Sequence, residues 1–466
     1  MMNFSWIEQN LGKGSFISTD IEELTYDDFF DLIRSYGNYC YKKINKNEKI
    51  CFISKNILDY AIFSNLLPML GGIFVPLNPN STKEEILNKM NIINSKKIFY
   101  DESCDINVKH FKNVELLKIK KGDLKANSIF SWPNQKETVC ILFTSGTSGK
   151  PKAVELNLEN IETSSHISQK NLNIRNSDKW LLCMPPFHTG GLSIIFRSLI
   201  FSKKLYIENL FDPEKVINLI MNTKVTIISL VPTMLFKIIT IMEIKKIIAP
   251  KSFRFILCGG ANVSENLIKR AKDIGILVIP TYGMTETTSQ IATASPLDKN
   301  RPDYSVGKVL NNIKIKIDSN EEIFIQSKIV AKYYNNETSA KWLATGDTGY
   351  LDDNKYLFIT GRVDDLIISG GENINPIEIE NIVSNLEYVE ECVAIGKKDE
   401  YWGEILTLVL FAKKKVTLDE INKHLIMFDN HKIPKKIFFY DTPLPKLDNG
   451  KFNKKLIRNI INENVS

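Results

Sequence analysis

Apolar runs of strand length alternate along most of this chain with segments of helical pattern, and glycines fall at the joints. In residues 254–260, RFILCGG, a short apolar run breaks on a Gly pair. Ser264 then stands where a helix N-cap belongs, ahead of ENLIKRAKD, and ILVIPTYG returns to an extended pattern. The same rhythm occurs upstream in ILDYAIFSNLLPMLGGIFVPL, and residues 136–156 read as strand, loop, strand. Strand–helix–strand units of this kind close as parallel sheets covered by helices, so the expected class is α/β. At 466 residues the chain exceeds one ordinary core and suits two to four folding units, at about 100–200 residues each.

From about Asp318 the texture changes. IKIKIDSNEEIFIQS and GYLDDNKYLFITGR read as hairpins around Asn and Asp turns. Beyond Arg362 come a short hairpin, a helix near 376–386, the strands CVAIG and LTLVLFA, and a helix near 418–428. This is expected to be a separate, smaller α+β unit beginning at VDD. Its last stretch, residues 430–466, carries eight basic against three acidic side chains. Such a tail suits an element that visits a polyanion.

Composition removes several classes. The longest nearly apolar run, residues 66–77, has 12 residues, where a membrane span needs about 20. The first residues lack a basic start followed by an apolar stretch, so no secretory signal is expected and the protein reads as cytoplasmic. Seven scattered cysteines with no C-x-x-C pair argue for reduced core thiols. Five histidines without a close pair argue against a tight transition-metal site. A net charge of +6 without a basic arm does not favour nucleic acid as a partner, and stable membrane insertion is not expected.

Five segments carry chemistry. TSGTSGKPK, residues 144–152, follows a strand and offers backbone N–H groups, hydroxyls and lysines that can wrap phosphate oxygens. It is not a Walker A loop, because Thr144 stands where the first glycine belongs and Pro151 follows Lys150. TYGMTETT, residues 281–288, sets Glu286 among hydroxyls after an apolar strand, a place suited to Mg²⁺ on a nucleotide. In TGDTGY, residues 345–350, Asp347 could accept hydrogen bonds from a ribose diol. GRVDDLIISGGENINPIEIE and LPKLDNGKFNKK, which holds Lys451, complete the set. Each alone could be a polar turn, a solvated loop acid or a surface lysine.

Together and in this order, the five segments resemble the acyl-adenylate-forming superfamily, from the strands near Ile50 to Lys451. The resemblance implies a large N-terminal domain, 1–363, of stacked α/β subdomains plus a distorted β-barrel. It also implies a small mobile α+β C-terminal domain, 364–466, pivoting near Asp364. It implies ATP, Mg²⁺ and CoA as substrates and cofactor. Thr144, Ser145, Gly146, Thr147, Ser148, Gly149, Lys150 and Lys152 would hold the ATP phosphates. Gly259, Gly260, Ala261, Tyr282 and Gly283 would frame adenine and the adenylate, while Asp347 and Arg362 would bind the ribose. Thr285 and Glu286 would meet phosphate and Mg²⁺, and Lys451 would bridge α-phosphate and attacking carboxylate. Ser369, Gly370 and Gly371 would line the pantetheine channel, with Trp402 either stacked on CoA or packed in the core.

Substrate choice should lie in MPPFHTGGLSIIFRSLIF, residues 184–201. If a helix starts at Gly191, Ser193 and Arg197 share a face at i and i+4. Arg197 then either reaches solvent or a local acid, or binds a second carboxylate on the substrate. His188 would gate the acyl pocket or sit as a satisfied core histidine. F-H-x-x-G-L-S-x-x-x-R-S, YGMTETTSQIAT and SVGK resemble the 2-succinylbenzoate–CoA ligases of menaquinone and phylloquinone biosynthesis. In that resemblance Arg197 recognises the second carboxylate of a diacid, with Ser193, Thr287 and Ser289 nearby. GRVDDLIISGGEN also resembles halobenzoate–CoA ligases, which would leave Arg197 without a task. An amino-acid adenylation domain would place Asp where His188 stands, and a dead nucleotide binder would not keep Lys451, Glu286 and Asp347. The partners expected are a small carboxylic acid, ATP and CoA; self-association stays open.

Overall fold

A computed structural model describes residues 6, 8–104, 111, 113–122, 132–145, 151–334, 342–425, 432–447 and 450–463. Its β-structure is gathered into sheets of thirteen, seven and five strands. The seven-stranded sheet has parallel strands Lys49–Ile53, Ile73–Pro76, Lys97–Tyr100 and Glu115–Lys118 at one side. Thr138–Ser145 joins them in parallel and turns back antiparallel into Pro151–Asn157. The two strands of the strand–loop–strand reading are therefore present, and residues 146–150 between them lie outside the described residues.

The thirteen-stranded sheet is parallel through Ser15–Ser18, Lys204–Ile207, Lys179–Leu182, Ile227–Leu230, Phe255–Cys258 and Val278–Met284. Beyond Val278–Met284 it continues antiparallel through Ser289–Thr293, Gly307–Val309, Tyr356–Arg362, Leu343–Leu351, Glu322–Gln326 and Lys314–Ile317. This antiparallel half, with its two expected hairpins, stands where a distorted barrel was expected. The switch from parallel to antiparallel falls at residues 284–289, the Glu286 segment.

The helix Ile57–Met69 is buried along its whole length. It shares one apolar cluster with residues of both large sheets, so it packs between layers rather than facing water. The 66–77 apolar run, too short for a membrane span, is the end of this helix and the strand after it. No helix among the described residues is long and apolar enough to cross a membrane.

The small domain has its own core, built by Ile367, Ile374, Ile379, Leu408, Ile421 and neighbours. Its sheet pairs Val389–Asp399 with Gly403–Ala412, flanked by Ile367–Ser369 and, in parallel, Lys436–Tyr440. The helix expected near 376–386 spans Pro376–Val383, with Asn375 as its N-cap. The helix expected near 418–428 is described over Leu418–Asn422, and its last expected residues lie outside the described set. All seven cysteines are buried free thiols. Burial raises the pKa of each thiol.

Candidate active site

Residues of several strands and one loop of the small domain gather around the Glu286 segment. Of the phosphate loop, Gly146, Thr147, Ser148, Gly149 and Lys150 lie outside the described residues, as does the side chain of Ser145. Its two flanks are paired in register, Thr144 against Lys152. Thr144 donates its hydroxyl to Glu286 Oε1 at 3.4 Å, and Tyr333 donates to the same oxygen at 3.2 Å. Among the described residues both bonds fall on Oε1, which leaves the lone pairs of Oε2 for a cation. Among the described residues no cluster of three or more metal-ligating side chains forms. One buried carboxylate is the provision Mg²⁺ needs when phosphate oxygens and water supply its other ligands. Lys152 lies 5.6 Å from the Tyr333 ring centre, so Tyr333 links the loop's lysine to the carboxylate. Tyr333 was not foreseen. It belongs to a two-residue strand that pairs with Pro151–Asn157, a contact that leaves no local pattern.

Asp347 and Arg362 face each other across paired strands and form an ion pair at 2.9 Å. Tyr282, expected beside adenine, also donates its hydroxyl to Asp347, at 2.7 Å. Burial raises the Asp347 pKa above the ordinary 3.8, against the pull of Arg362, the Tyr282 bond and Lys451. Gly259 cannot carry a side chain, since a Cβ there would stand 2.5 Å from Thr281 Cγ2. A Cβ on Gly283 would overlap the Ser289 carbonyl at 1.7 Å. These two glycines let the ends of neighbouring strands close on each other beside Gly260 and Ala261.

Lys451 reaches this cluster from the small domain. The turn before it has Gly450 at φ +80°, and a Cβ there would meet Val231 Cγ2 at 2.7 Å. Glycine is thus required for both the turn and the approach to the large domain. The Lys451 side chain keeps contact with solvent. Surrounding protein nonetheless lowers its pKa below 10.5, and Arg362 adds to the depression while Asp347 and Glu286 oppose it. Thr285, Glu286, Asp347, Arg362 and Lys451 therefore occupy one electrostatic neighbourhood. Thr285 accepts a 3.0 Å hydrogen bond from Thr189, which ties it to the next region.

The helix of that region is Thr189–Ile200, starting two residues before the expected Gly191, with His188 as N-cap and its ring against Phe187. A Cβ on Gly191 would strike the Pro185 carbonyl at 2.3 Å, which explains the tight Gly pair. Arg197 is 3% exposed, so it does not reach solvent. It has no carboxylate partner among the described residues. Its Nη2 donates to Ser289 Oγ at 3.1 Å, and its buried Nε has no hydrogen-bond partner among the described residues. Burial pulls its pKa down to about 10. Ser289 and Thr288 adopt φ +148° and +58°, strained values for residues with a Cβ. Thr287 spends its hydroxyl on the carbonyls of Met284 and Ser289, and Ser193 bonds back to Gly190. A pocket beside the helix is lined by Ile161, Ser164, Ser165, Thr189, Ser193 and Thr288.

Ser369, Gly370 and Gly371 lie together at the turn between the strands Ile367–Ser369 and Glu372–Ile374 of the small-domain sheet. Gly370 (φ +60°) donates its N–H to the Trp402 carbonyl, and a Cβ there would stand 2.8 Å from the indole. Trp402 is 48% exposed and packs edge-on against Tyr401, so it is no core residue. Asp364 is exposed in the short turn Val363–Asp365 that joins the antiparallel sheet to the small domain.

Comparison with known proteins agrees with this layout. The model for the AMP-binding enzyme family matches residues 4–334, and that for the AMP-binding enzyme C-terminal domain matches residues 378–451. A 2-succinylbenzoate–CoA ligase of Listeria monocytogenes serotype 4b is 32% identical over 448 residues, covering 94% of each chain. The structure of Bacillus subtilis O-succinylbenzoate coenzyme A synthetase with ATP and magnesium superposes at a TM-score of 0.86. It is 28% identical and covers 97% of this chain and 98% of that one. The same enzyme with the acyl-adenylate intermediate OSB-AMP also gives 0.86, at 29% identity and 97% coverage of both chains. With one family model spanning residues 4–334, its C-terminal companion spanning 378–451 and relatives of 32% identity over nearly the full length, the chain belongs to the AMP-binding enzyme family.

Proposed function

We propose that the protein joins 2-succinylbenzoate to CoA through an acyl-AMP, with release of AMP and diphosphate. In the first half-reaction a carboxylate oxygen of the acid attacks the α-phosphorus of ATP, and the bond to the diphosphate oxygen breaks. In the second, the CoA thiolate attacks the acyl carbon and AMP leaves. Negative charge gathers at the α-phosphate in the first step, and Lys451 is the cation that answers it, while Arg362, paired with Asp347, stands at the ribose. Asp347 accepts from the ribose hydroxyls. Glu286, with the hydroxyls of Thr285 and Thr144, would hold Mg²⁺, which supplies charge neutralisation at the phosphates. Residues 1–363 and 364–466 act as the two domains. Asp364 is the pivot that withdraws Lys451 and presents Ser369–Gly371 and Trp402 to CoA. A menaquinone-type pathway is the setting that the names of the relatives suggest.

Arg197 carries the choice of acid. A guanidinium buried with a single neutral partner is costly to keep, and a carboxylate from the substrate would complete it. A benzoate or fatty acid offers no such group at its far end. The test is a CoA-ligation screen of 2-succinylbenzoate against benzoates, cinnamates and medium-chain fatty acids. Preference for the diacid is expected, and equal or better turnover of a monoacid would overturn the assignment.

A further inference from the structure

The contact between the two domains has a second, catalytically silent part. The helix Glu265–Asp273 of the large domain begins beside it, and the first-turn N–H groups of any helix lack partners within the helix. One of them, Asn266 N–H, donates to Asn385 Oδ1 of the small domain at 3.2 Å. The other end of the same amide, Asn385 Nδ2, donates to the Tyr304 hydroxyl at 3.0 Å. Four residues earlier, Asn381 meets Asn262 through its side-chain oxygen. Asn381 and Asn385 thus face the large domain from one side of the helix Pro376–Val383 and its end.

The receiving side is held in advance. Tyr304 has φ +65°, an unfavourable value for a tyrosine. Its N–H is fixed on Glu265 Oε1 at 2.6 Å. Glu265 is in turn gripped by Arg301 through two bonds of 3.0 and 2.8 Å, in a largely buried pair. A strained residue locked by a two-pronged ion pair, whose hydroxyl then meets only an amide from the other domain, is a socket. The three bonds from Asn381 and Asn385 across the seam are uncharged on both sides. Such bonds are individually weak, as suits an orientation that must form and break in each cycle.

We propose that Asn381 and Asn385 are positioning residues that hold the small domain in the adenylate-forming orientation, with Tyr304 and the start of the Glu265–Asp273 helix as their socket. They act through Lys451 and touch no substrate. The inference rests on the two-step reading above, in which the small domain turns between half-reactions.

The test separates the half-reactions in the full-length protein. ATP–diphosphate exchange with 2-succinylbenzoate reports the first, and single-turnover thioester formation from pre-made acyl-AMP reports the second. Loss of the Asn385 amide in Asn385→Ala should slow exchange about tenfold, and loss of one bond in Tyr304→Phe about threefold. Thioester formation should be unchanged or faster in both. Tyr304→Phe removes one hydroxyl from a 43% exposed side chain and keeps the test valid if the Asn385 variant folds poorly. Equal slowing of both steps, or no change in exchange for either variant, would overturn the clasp. Wild-type protein that gives no exchange would instead strike the functional reading.

Discussion

Replacing Arg197 by methionine should make the protein more stable and less selective together. The guanidinium pKa falls from 12.5 to about 10 through burial alone. That depression is worth about 3 kcal/mol against the charged form at neutral pH, at about 1.4 kcal/mol per pH unit. Methionine fills much of the same space without a charge, and it forfeits the bond to Ser289, worth about 1 kcal/mol. The net expectation is a gain of about 2 kcal/mol, or a rise of a few degrees in the Tm of the large domain. The folded pKa is the depressed one, so the penalty is at full size below about pH 10 and the gain should be constant from pH 6 to 9. In the same variant, kcat/KM for 2-succinylbenzoate should fall about 10²-fold or more, the usual loss for half of a buried charge pair. Turnover of 4-oxo-4-phenylbutanoate, which lacks the ring carboxylate, should hold or improve. Thermal unfolding and a coupled AMP-release assay on the two acids give both readings. A variant that is less stable and treats the two acids as wild type does would show that Arg197 serves the scaffold.

Lys451→Ala should lower ATP–diphosphate exchange about 10²–10³-fold and leave thioester formation from pre-made acyl-AMP within twofold, as read by rapid quench. Because the Lys451 pKa lies below 10.5 and the charged form is the useful one, exchange in the wild type should decline with rising pH before that value. The second half-reaction should lack this alkaline limb. Asp347→Asn should raise KM for ATP about tenfold or more through the lost ribose contact, checked by initial rates at saturating acid. Asp364→Pro should stiffen the turn Val363–Asp365 and slow CoA transfer while exchange persists; normal overall turnover would contradict a pivot there.

Local chemistry made much of this molecule legible before its coordinates. The Gly pair closing RFILCGG, the Ser264 cap and the Asn and Asp turns each name their structure within a few residues, and all are found. Helical spacing likewise put Ser193 and Arg197 on one face. It could not show that Ser193 would bond back to Gly190 while Arg197 reached Ser289, 92 residues away. Tyr333 on Glu286 and Asn385 on Tyr304 are of the same kind: sheet order and domain packing bring them together, and neither leaves a periodic trace. Arg197 shows the limit most clearly. Its sequence context allowed solvent, a local acid or a ligand, and only its burial among neutral groups separates these.

The seven sequestered thiols have a practical corollary. An enzyme whose own thiols are walled off gives a thiol-bearing substrate little to exchange with, so mixed disulfides with CoA should be rare. For the same reason the native surface is blank to maleimide dyes. One cysteine introduced at exposed Leu297 and another at exposed Lys415 would take a donor and an acceptor fluorophore without background. The proposed turning of the small domain could then be tested in real time, molecule by molecule.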